Sequence, residues 1–196
     1  MTAKAGVKRL TKDDWTAAAM SALAEGGIAA VAIEPLATRL GTTKGSAYWH
    51  FDNREALVRA TLERWERLHT EAVIETIEAD RSAPADRLRR LFNTVLDNKK
   101  EAQVEMALLA SSDDPLVAAA VRRVNERRLS YLAMLFSQLG YTEAQAKRRA
   151  VLAHSIYLGQ AQLTRAVPDV LPQTPAARRA HVEDALRTMT VPPGAA

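Results

Sequence analysis

The chain has 196 residues, of which 47% are hydrophobic and 5% aromatic, and it carries a formal net charge of +4 with a pI near 9.6. This composition supports a packed core and argues against disorder, while the absence of cysteine excludes disulfides, thiolate nucleophiles and cysteine-based zinc sites. Residues 1–10 lack the apolar segment of a secretory signal and no run of about 18 apolar residues occurs, so we expect no membrane span and a cytoplasmic location.

The first helix has clear start and stop signals. Thr11 followed by Asp14 predicts an N-cap, and the Gly26-Gly27 pair predicts the end of the helix. The apolar residues 28–33 could form a strand, but a single isolated strand cannot build a sheet. We therefore interpret this segment as a packed connection.

Two short helices and one long helix follow. The first short helix is predicted over 33–40 and the second from 42 or 43 to 50. Asp52 and Glu55 are spaced as a capping box, which predicts the start of a long helix over 53–79.

The remainder of the chain contains five further predicted helices, and prolines, a glycine and capping residues mark the starts of most of them. They cover 84–98, 101–111, 115–139, 142–166 and 174–190. No strand-like alternation accompanies them, so the pattern predicts an all-α fold of about nine helices. We expect a three-helix N-terminal head in residues 1–58, a helical bundle body in 59–190 and a flexible tail in 191–196.

The two short helices have the pattern of a helix-turn-helix unit. Leu36, Ala37 and Leu40 give the first helix a buried face, and Gly41 permits the turn. We expect Ala47, Tyr48 and Phe51 to hold the second helix against its neighbours. The other positions of the second helix are small, polar, basic or amphipathic aromatic. Such a face suits the DNA major groove, because short side chains and donors can approach phosphates and base edges.

This segment resembles the DNA-binding signature of TetR-family transcriptional regulators. The resemblance is carried by residues 36–51, LATRLGTTKGSAYWHF, and by residues 53–57, NREAL, within a match over about residues 10–58. In that family the Tyr-x-His-Phe stretch closes the recognition helix, and a basic residue followed by Glu and Leu opens the fourth helix. Two departures concern the start of the second helix: Ala32 replaces a common Ser or Thr cap, and Pro35 is unusual inside the helix.

The resemblance implies which residues lie near DNA. Lys44 is expected at a phosphate or a guanine edge, and Arg54 at a phosphate. The full set of implied DNA-binding residues is Arg39, Thr42, Thr43, Lys44, Ser46, Tyr48, Trp49, His50 and Arg54.

The family also implies a homodimer formed by the last two long helices. The eighth helix is rich in small residues and the ninth has one apolar stripe, as helix pairing requires. The residues concerned are Ala146, Ala150, Leu152, Ala153, Ile156, Gly159, Ala161, Leu163, Val182, Ala185, Leu186 and Met189. The alternative is that these faces pack inside one subunit.

A small-molecule effector site in the body is the third implication of the resemblance. Candidates combine bulky apolar surface with a few polar groups, although each could instead be an ordinary core residue. They are Trp65, His69, Met106, Tyr131, Phe136, His154, Tyr157 and Gln160.

The sequence therefore predicts a ligand-responsive regulator, by family default a repressor, that binds a palindromic operator in double-stranded DNA as a dimer. An all-α enzyme and a helical protein-interaction module are the alternatives. The four histidines show no metal-ligand spacing, and Glu101 and Glu105 are interpreted as an ordinary acidic pair on a helix surface. We expect no catalytic residue, no metal and no cofactor.

Overall fold

The computed structural model describes residues 10–96 and 99–190, and all regular structure in these two ranges is helical. Nine helices are present in this part of the chain, which confirms the predicted all-α class. They are α1 (Lys12–Gly26), α2 (Ile33–Arg39), α3 (Lys44–Tyr48), α4 (Arg54–Glu66, continued by a π-helical segment, Arg67–Glu71, and by Ala72–Glu78), α5 (Pro84–Leu96), α6 (Lys99–Leu109), α7 (Pro115–Gln138), α8 (Glu143–Ala166) and α9 (Pro175–Met189). Short 3₁₀ turns span Ile28–Ala30 and Pro168–Val170.

Local capping chemistry explains why most helices begin where they do. The Thr11 N–H donates to Asp14 Oδ2 at 2.8 Å, and the Asp14 N–H donates to Thr11 Oγ1 at 3.2 Å, so the predicted capping box is present. Thr142 and Gln145 form a second capping box at the start of α8. The carboxylate of Asp114 caps α7 by accepting the Leu116 N–H at 2.9 Å.

The predicted capping box at the start of the long helix is wrong by one residue. The N-cap is Asn53, whose Oδ1 accepts the Ala56 N–H at 2.9 Å, and α4 begins at Arg54. The side-chain oxygen of Asn accepts a hydrogen bond from a free N–H at a helix start as well as that of Asp does. Asn53 therefore caps α4 in place of Asp52.

The predicted short elements differ from the structure mainly at their ends. The apolar segment 28–33 forms a 3₁₀ turn followed by the fully buried Val31 and by extended backbone at Ala32, so it is a packed connection as expected. No side chain caps α2 at Ala32. Residues 97–98 of the predicted helix 84–98, and the predicted tail 191–196, lie outside the described residues.

The long helix α4 is not uniformly α-helical, contrary to the prediction. Residues Arg67–Glu71 form a π-helical turn in which the Ala72 N–H reaches the Arg67 carbonyl. A π turn accommodates one additional residue and frees backbone groups for other partners. Here the His69 carbonyl accepts from the Arg128 Nη2 group on α7 at 3.1 Å.

The core consists of two hydrophobic clusters joined by α4 and α7. The first includes Trp15, Leu23 and Leu57 with Leu108 and Val124, so it connects the head to α6 and α7. The second contains the end of α4 and residues from α5, α7, α8 and α9. The predicted domain boundary at residue 58 therefore lies inside α4. Residues on both sides of this boundary belong to the first cluster.

Most of the residues expected at a dimer interface are buried within one chain. On α8, Ala146, Ala150 and Ala153 belong to the second core cluster, and on α9 Val182 and Leu186 belong to it too. The alternative interpretation is thus correct for these residues: because α8 and α9 close the body, their apolar stripes face its core. Within the described ranges, no helix is both long enough and apolar enough to cross a membrane.

Candidate DNA-binding surface and ligand cavity

The α2–α3 unit has the geometry of a helix-turn-helix. Gly41 occupies the turn with φ 63°, a left-handed conformation that favours glycine, and the Thr42 N–H donates back to the Ala37 carbonyl at 2.9 Å. Ala47 and Phe51 are buried against the head and hold α3 in place. The outer side of α3 is consequently free to meet another molecule.

Large aromatic side chains lie on that outer side. Trp49 is 80% exposed and Tyr48 is 54% exposed. The expectation that Tyr48 packs against the head is therefore wrong, because Ala47 and Phe51 already fill the buried side of α3. Thr43 and Lys44 are exposed beside the two aromatic residues, while Thr42 and Ser46 are half-buried. These six residues and Gly45 form a contiguous surface at the end of the head.

The basic residues of this surface are engaged in exposed ion pairs. Lys44 Nζ lies 3.1 Å from Glu34 Oε1, and the hydrogen bond to that carboxylate raises the pKa of Lys44. Arg39 makes two hydrogen bonds to Glu25, at 2.8 and 2.7 Å, which raise the pKa of Arg39. Exposed ion pairs contribute little stability, so both cations can exchange a carboxylate for a phosphate.

His50 and Arg54 have structural contacts inside the head. His50 Nε2 lies 2.9 Å from the Leu10 carbonyl oxygen. Arg54 donates from Nε to the Val31 carbonyl at 2.8 Å and from Nη2 to the Ile28 carbonyl at 2.7 Å. The sequence predicted a phosphate contact for Arg54; in this structure two of its three nitrogens hold the connection between α1 and α2.

A cavity of about 50 Å³ lies in the body, between the π-helical segment of α4 and helices α5 to α8. Its wall is mostly apolar, with charged and polar groups gathered at one end. The lining residues are His69, Thr70, Val73, Ile74, Leu91, Phe92, Val95, Glu101, Arg128, Tyr131, Leu132, Ala153, His154 and Tyr157.

Four of the eight predicted ligand residues line this cavity: His69, Tyr131, His154 and Tyr157. The other four are not brought to it. Trp65 is fully buried in the first core cluster, and Phe136 packs edge-on against Tyr141 in the second. Met106 lies elsewhere on α6, and Gln160 pairs with His181 at 3.0 Å.

Arg128 organises the polar end of the cavity, and the sequence analysis missed it. Its Nε donates to Thr70 Oγ1 at 3.1 Å, its Nη1 to Glu105 Oε2 at 2.9 Å and its Nη2 to the His69 carbonyl at 3.1 Å. Glu101 Oε1 lies 3.7 Å from Nη2. The guanidinium is thus held from three directions.

The predicted surface location of Glu101 and Glu105 is wrong. The two residues are only 3% and 1% exposed, because α6 turns them inward toward Arg128. A signal was present in the sequence: Glu101, Glu105 and Leu108 follow one another at spacings of four and three residues, which places both glutamates on the same face of the helix as a core residue.

Aromatic rings cover the guanidinium. The Arg128 Cζ lies 5.6 Å from the Trp65 ring centroid and 5.4 Å from that of Tyr157, both within cation–π distance. His154 stacks on Tyr157 and its Nε2 lies 3.0 Å from Asn125 Oδ1. Burial, reinforced by the charge of Arg128, lowers the pKa of His154 to about 4, and burial raises the pKa of Tyr157.

This arrangement suits recognition of a small molecule. An apolar chamber with a few fixed polar groups orients a ligand, whereas the described residues contain no group of three or more His, Asp or Glu side chains able to hold a metal ion. A cavity of about 50 Å³ holds only about four water molecules. A larger ligand therefore requires its walls to move apart.

Known proteins match both parts of the chain. The family model for bacterial regulatory proteins of the tetR family matches residues 16–61. The transcriptional regulator TtgR of Pseudomonas putida is 28% identical over 109 residues, which cover 56% of this chain and 44% of that protein. The aligned region thus spans less than half the length of that relative.

Solved structures extend the likeness to the whole fold. A transcriptional regulator from Rhodococcus sp. Rha1 gives a TM-score of 0.76 at 19% identity, covering 94% of this chain and all of that one. SmeT, described as the repressor of a multidrug efflux pump of Stenotrophomonas maltophilia, gives 0.68 at 19% identity and covers 95% of each chain. Both structures are described as regulators of transcription. Residues 16–61 therefore match the family model of bacterial tetR-type regulatory proteins, and the described helices share the fold of solved transcriptional regulators.

Proposed function

We propose that this chain is a ligand-responsive repressor that binds a palindromic operator as a homodimer and releases it when a small molecule enters the body. One observation carries the proposal: a single helix, α4, starts next to α3 and reaches the cavity wall through His69 and Thr70. Residues 1–58 then act as the DNA-binding domain, and 59–190 as the sensing and dimerisation domain. Repression is the activity named for SmeT.

The DNA-binding surface is the exposed side of α3. Lys44 and Arg39 exchange Glu34 and Glu25 for phosphates or base edges, while Trp49 and Tyr48 supply apolar contact. Thr42, Thr43 and Ser46 contribute hydroxyl groups at the start of the same helix.

Dimerisation is proposed through the outer face of α8. Val151 and Leu152 are 55% and 44% exposed, and Leu163 is also exposed on this helix. A Cβ added at Gly159 would meet nothing within 4 Å, so no contact inside the chain requires a glycine there. Because glycine inside a helix costs about 1 kcal/mol relative to alanine, its position beside exposed apolar residues favours close approach of a second helix.

The π-helical segment couples the two ends of the molecule. A ligand that widens the cavity displaces His69 and Thr70, and the contacts of this turn with Arg128 must change. The part of α4 that leads to the head then shifts. Two heads of a dimer must sit about 34–36 Å apart to enter successive major grooves, so a small shift weakens operator binding.

Selection of bound sequences from a random DNA pool tests this function. A palindromic motif supports the dimeric operator reader; a motif without two-fold symmetry, or no enrichment, contradicts it. With the selected operator, Lys44→Ala should weaken binding by about 1–3 kcal/mol if Lys44 reads a guanine, or lower the salt slope by about one if it contacts only phosphate. Lys147→Ala, which removes an equally exposed lysine paired with Glu143 on α8, is the matched control.

A further inference from the structure

An ion pair joins the starts of the two helices of the helix-turn-helix. Glu34 lies in the first turn of α2 and Lys44 is the first residue of α3, and Glu34 Oε1 lies 3.1 Å from Lys44 Nζ. The two side chains are 74% and 65% exposed. Glu34 also lines a groove together with Tyr48 of the proposed DNA-binding surface. A carboxylate therefore stands beside Lys44 on the side of the head that would meet DNA.

The local structure leaves this carboxylate able to accept from a further group. Lys44 contacts one of its two oxygens, Oε1, and the Glu34 side chain makes no other hydrogen bond among the described residues. Pro35 follows in the first helical turn, where a missing N–H costs little and the fixed φ restricts the backbone that presents Glu34.

A carboxylate at this position opposes DNA binding unless it meets a hydrogen-bond donor. Double-stranded DNA carries about one negative charge per 1.7 Å of its axis, so the Glu34 carboxylate would face phosphates of the same sign. Base edges supply the donors of the major groove, which are the N4 amino group of cytosine and the N6 amino group of adenine. Either amino group could accommodate the carboxylate.

The neighbouring ammonium group selects between these two bases. Guanine offers a lysine two acceptors, O6 and N7, whereas thymine offers O4 alone beside a methyl group. In a G·C pair the guanine acceptors and the cytosine amino group lie side by side in the major groove. Two side chains whose charged ends are 3.1 Å apart match this arrangement on a single base pair.

We propose, on the basis of the DNA-binding function above, that Glu34 and Lys44 together read one G·C base pair in each half of the operator. Lys44 donates to the guanine, and Glu34 accepts from the N4 amino group of the paired cytosine. Each partner of the ion pair thereby exchanges the other for a base, and neither charge is left without a hydrogen bond. Glu34 is thus a specificity-determining residue beside the residues of the family signature.

A base analogue in the selected operator tests the cytosine contact on the unmodified protein. N4-methylcytosine still pairs with guanine, but a methyl group replaces the amino hydrogen that faces the major groove. Substituted for one cytosine of each half-site at a time, it should weaken binding about fivefold or more at one position, which is the lower limit of what a good base-edge contact contributes. Half-sites without a G·C pair, or affinities within about twofold at every cytosine, would overturn the proposal.

A pair of variants assigns the contact to Glu34. Glu34→Ala should bind the methylated and unmodified operators with affinities within about twofold, and its preference for operator over random duplex should fall about fivefold or more. Glu143→Ala is the matched control, because Glu143 is also an exposed first-turn glutamate paired with a lysine, but on α8. This control should keep the full sensitivity to methylation, and melting temperatures verify that both variants are folded. Sensitivity retained in Glu34→Ala would overturn the assignment.

The same titrations separate base reading from competition for Lys44 and from failure of the proposed function. If Glu34→Ala binds operator and random duplex more tightly by the same factor and remains sensitive to N4-methylcytosine, Glu34 only competes with DNA for Lys44 and the base-reading role is wrong. If the selection enriches no duplex, the DNA-binding function is wrong and this assignment fails with it. A palindromic operator without a methylation-sensitive cytosine would overturn the assignment alone.

Discussion

Arg54 shows how one residue can satisfy a family signature for a reason other than DNA contact. Its two hydrogen bonds to the Val31 and Ile28 carbonyls tie the start of α4 to the 3₁₀ turn between α1 and α2. We expect Arg54→Ala to lower the free energy of unfolding by about 1–2 kcal/mol without DNA present, because charged donors make the stronger hydrogen bonds. Urea unfolding measures this effect.

Arg59 provides the comparison for that experiment. It lies on the same helix and pairs only with Glu55 in an exposed contact at 2.8 Å. Arg59→Ala should therefore change the stability by less than about 0.5 kcal/mol. If the two variants are equally stable while Arg54→Ala alone loses operator affinity, the residue acts at a phosphate, as the sequence first suggested.

His154 should make the stability of the body depend on pH. Its pKa is about 4 in the folded chain and about 6.5 when unfolded, so the unfolded state binds more protons between these values. The free energy of unfolding is therefore highest above about pH 6.5 and falls as the pH decreases toward 4. The expected decrease between pH 7.5 and 5 is roughly 2 kcal/mol. Urea unfolding across this range should show a shallower loss in His154→Gln than in the unmodified protein.

His181 is the control for the pH experiment, because it lies half-buried against Gln160 and far along the chain from Arg128. His181→Gln should retain the acid-induced loss. Parallel curves for the unmodified protein and His154→Gln would show that the buried imidazole is not the titrating group.

In the proposed function helix α4 links sensing to DNA binding, and Trp65 lies on this helix beside Arg128. Trp49 is exposed and can be removed at little cost to the fold, leaving Trp15 and Trp65, both buried. In a Trp49→Phe protein we expect an effector that releases operator to change the tryptophan emission at the same concentrations, because Arg128 and the Trp65 ring change their mutual geometry. Fluorescence titration beside a gel shift makes the comparison.

The source of that signal is checked by removing Trp65 as well. A Trp49→Phe, Trp65→Phe protein should keep Trp15 and show no response. Operator release without any emission change in the Trp49→Phe protein would place the trigger away from α4.

At the scale of the whole molecule, the outer face of α8 exposes Val151, Leu152 and Leu163, and this is where we propose that a second copy binds. Leu152→Arg places a charge in the proposed seam and should convert the dimer to monomers in sedimentation velocity experiments. Met134→Arg alters a similarly exposed hydrophobic residue of α7 and should leave the dimer intact. A fully dimeric Leu152→Arg protein would locate the interface elsewhere.

Local chemistry was sufficient to predict most of the secondary structure. Three helices are capped by a side chain that binds the backbone only two or three residues further along the chain; the caps are Thr11, Asp114 and Thr142. Gly41 permits the turn of the helix-turn-helix because its backbone adopts a positive φ. Such signals are contained in short stretches of sequence. The order of side chains around α3 likewise led to the proposed DNA-binding surface.

Tertiary structure decided what lies in the body. Glu101, Glu105 and Arg128 look like surface charges in sequence, yet α6 and α7 bring them together under the rings of Trp65 and Tyr157. The π-helical turn of α4 also depends on a distant partner, since its freed carbonyl binds α7. Sequence periodicity identifies the side of a helix on which a residue lies, but only packing between helices determines whether that side meets solvent, the core or a cavity.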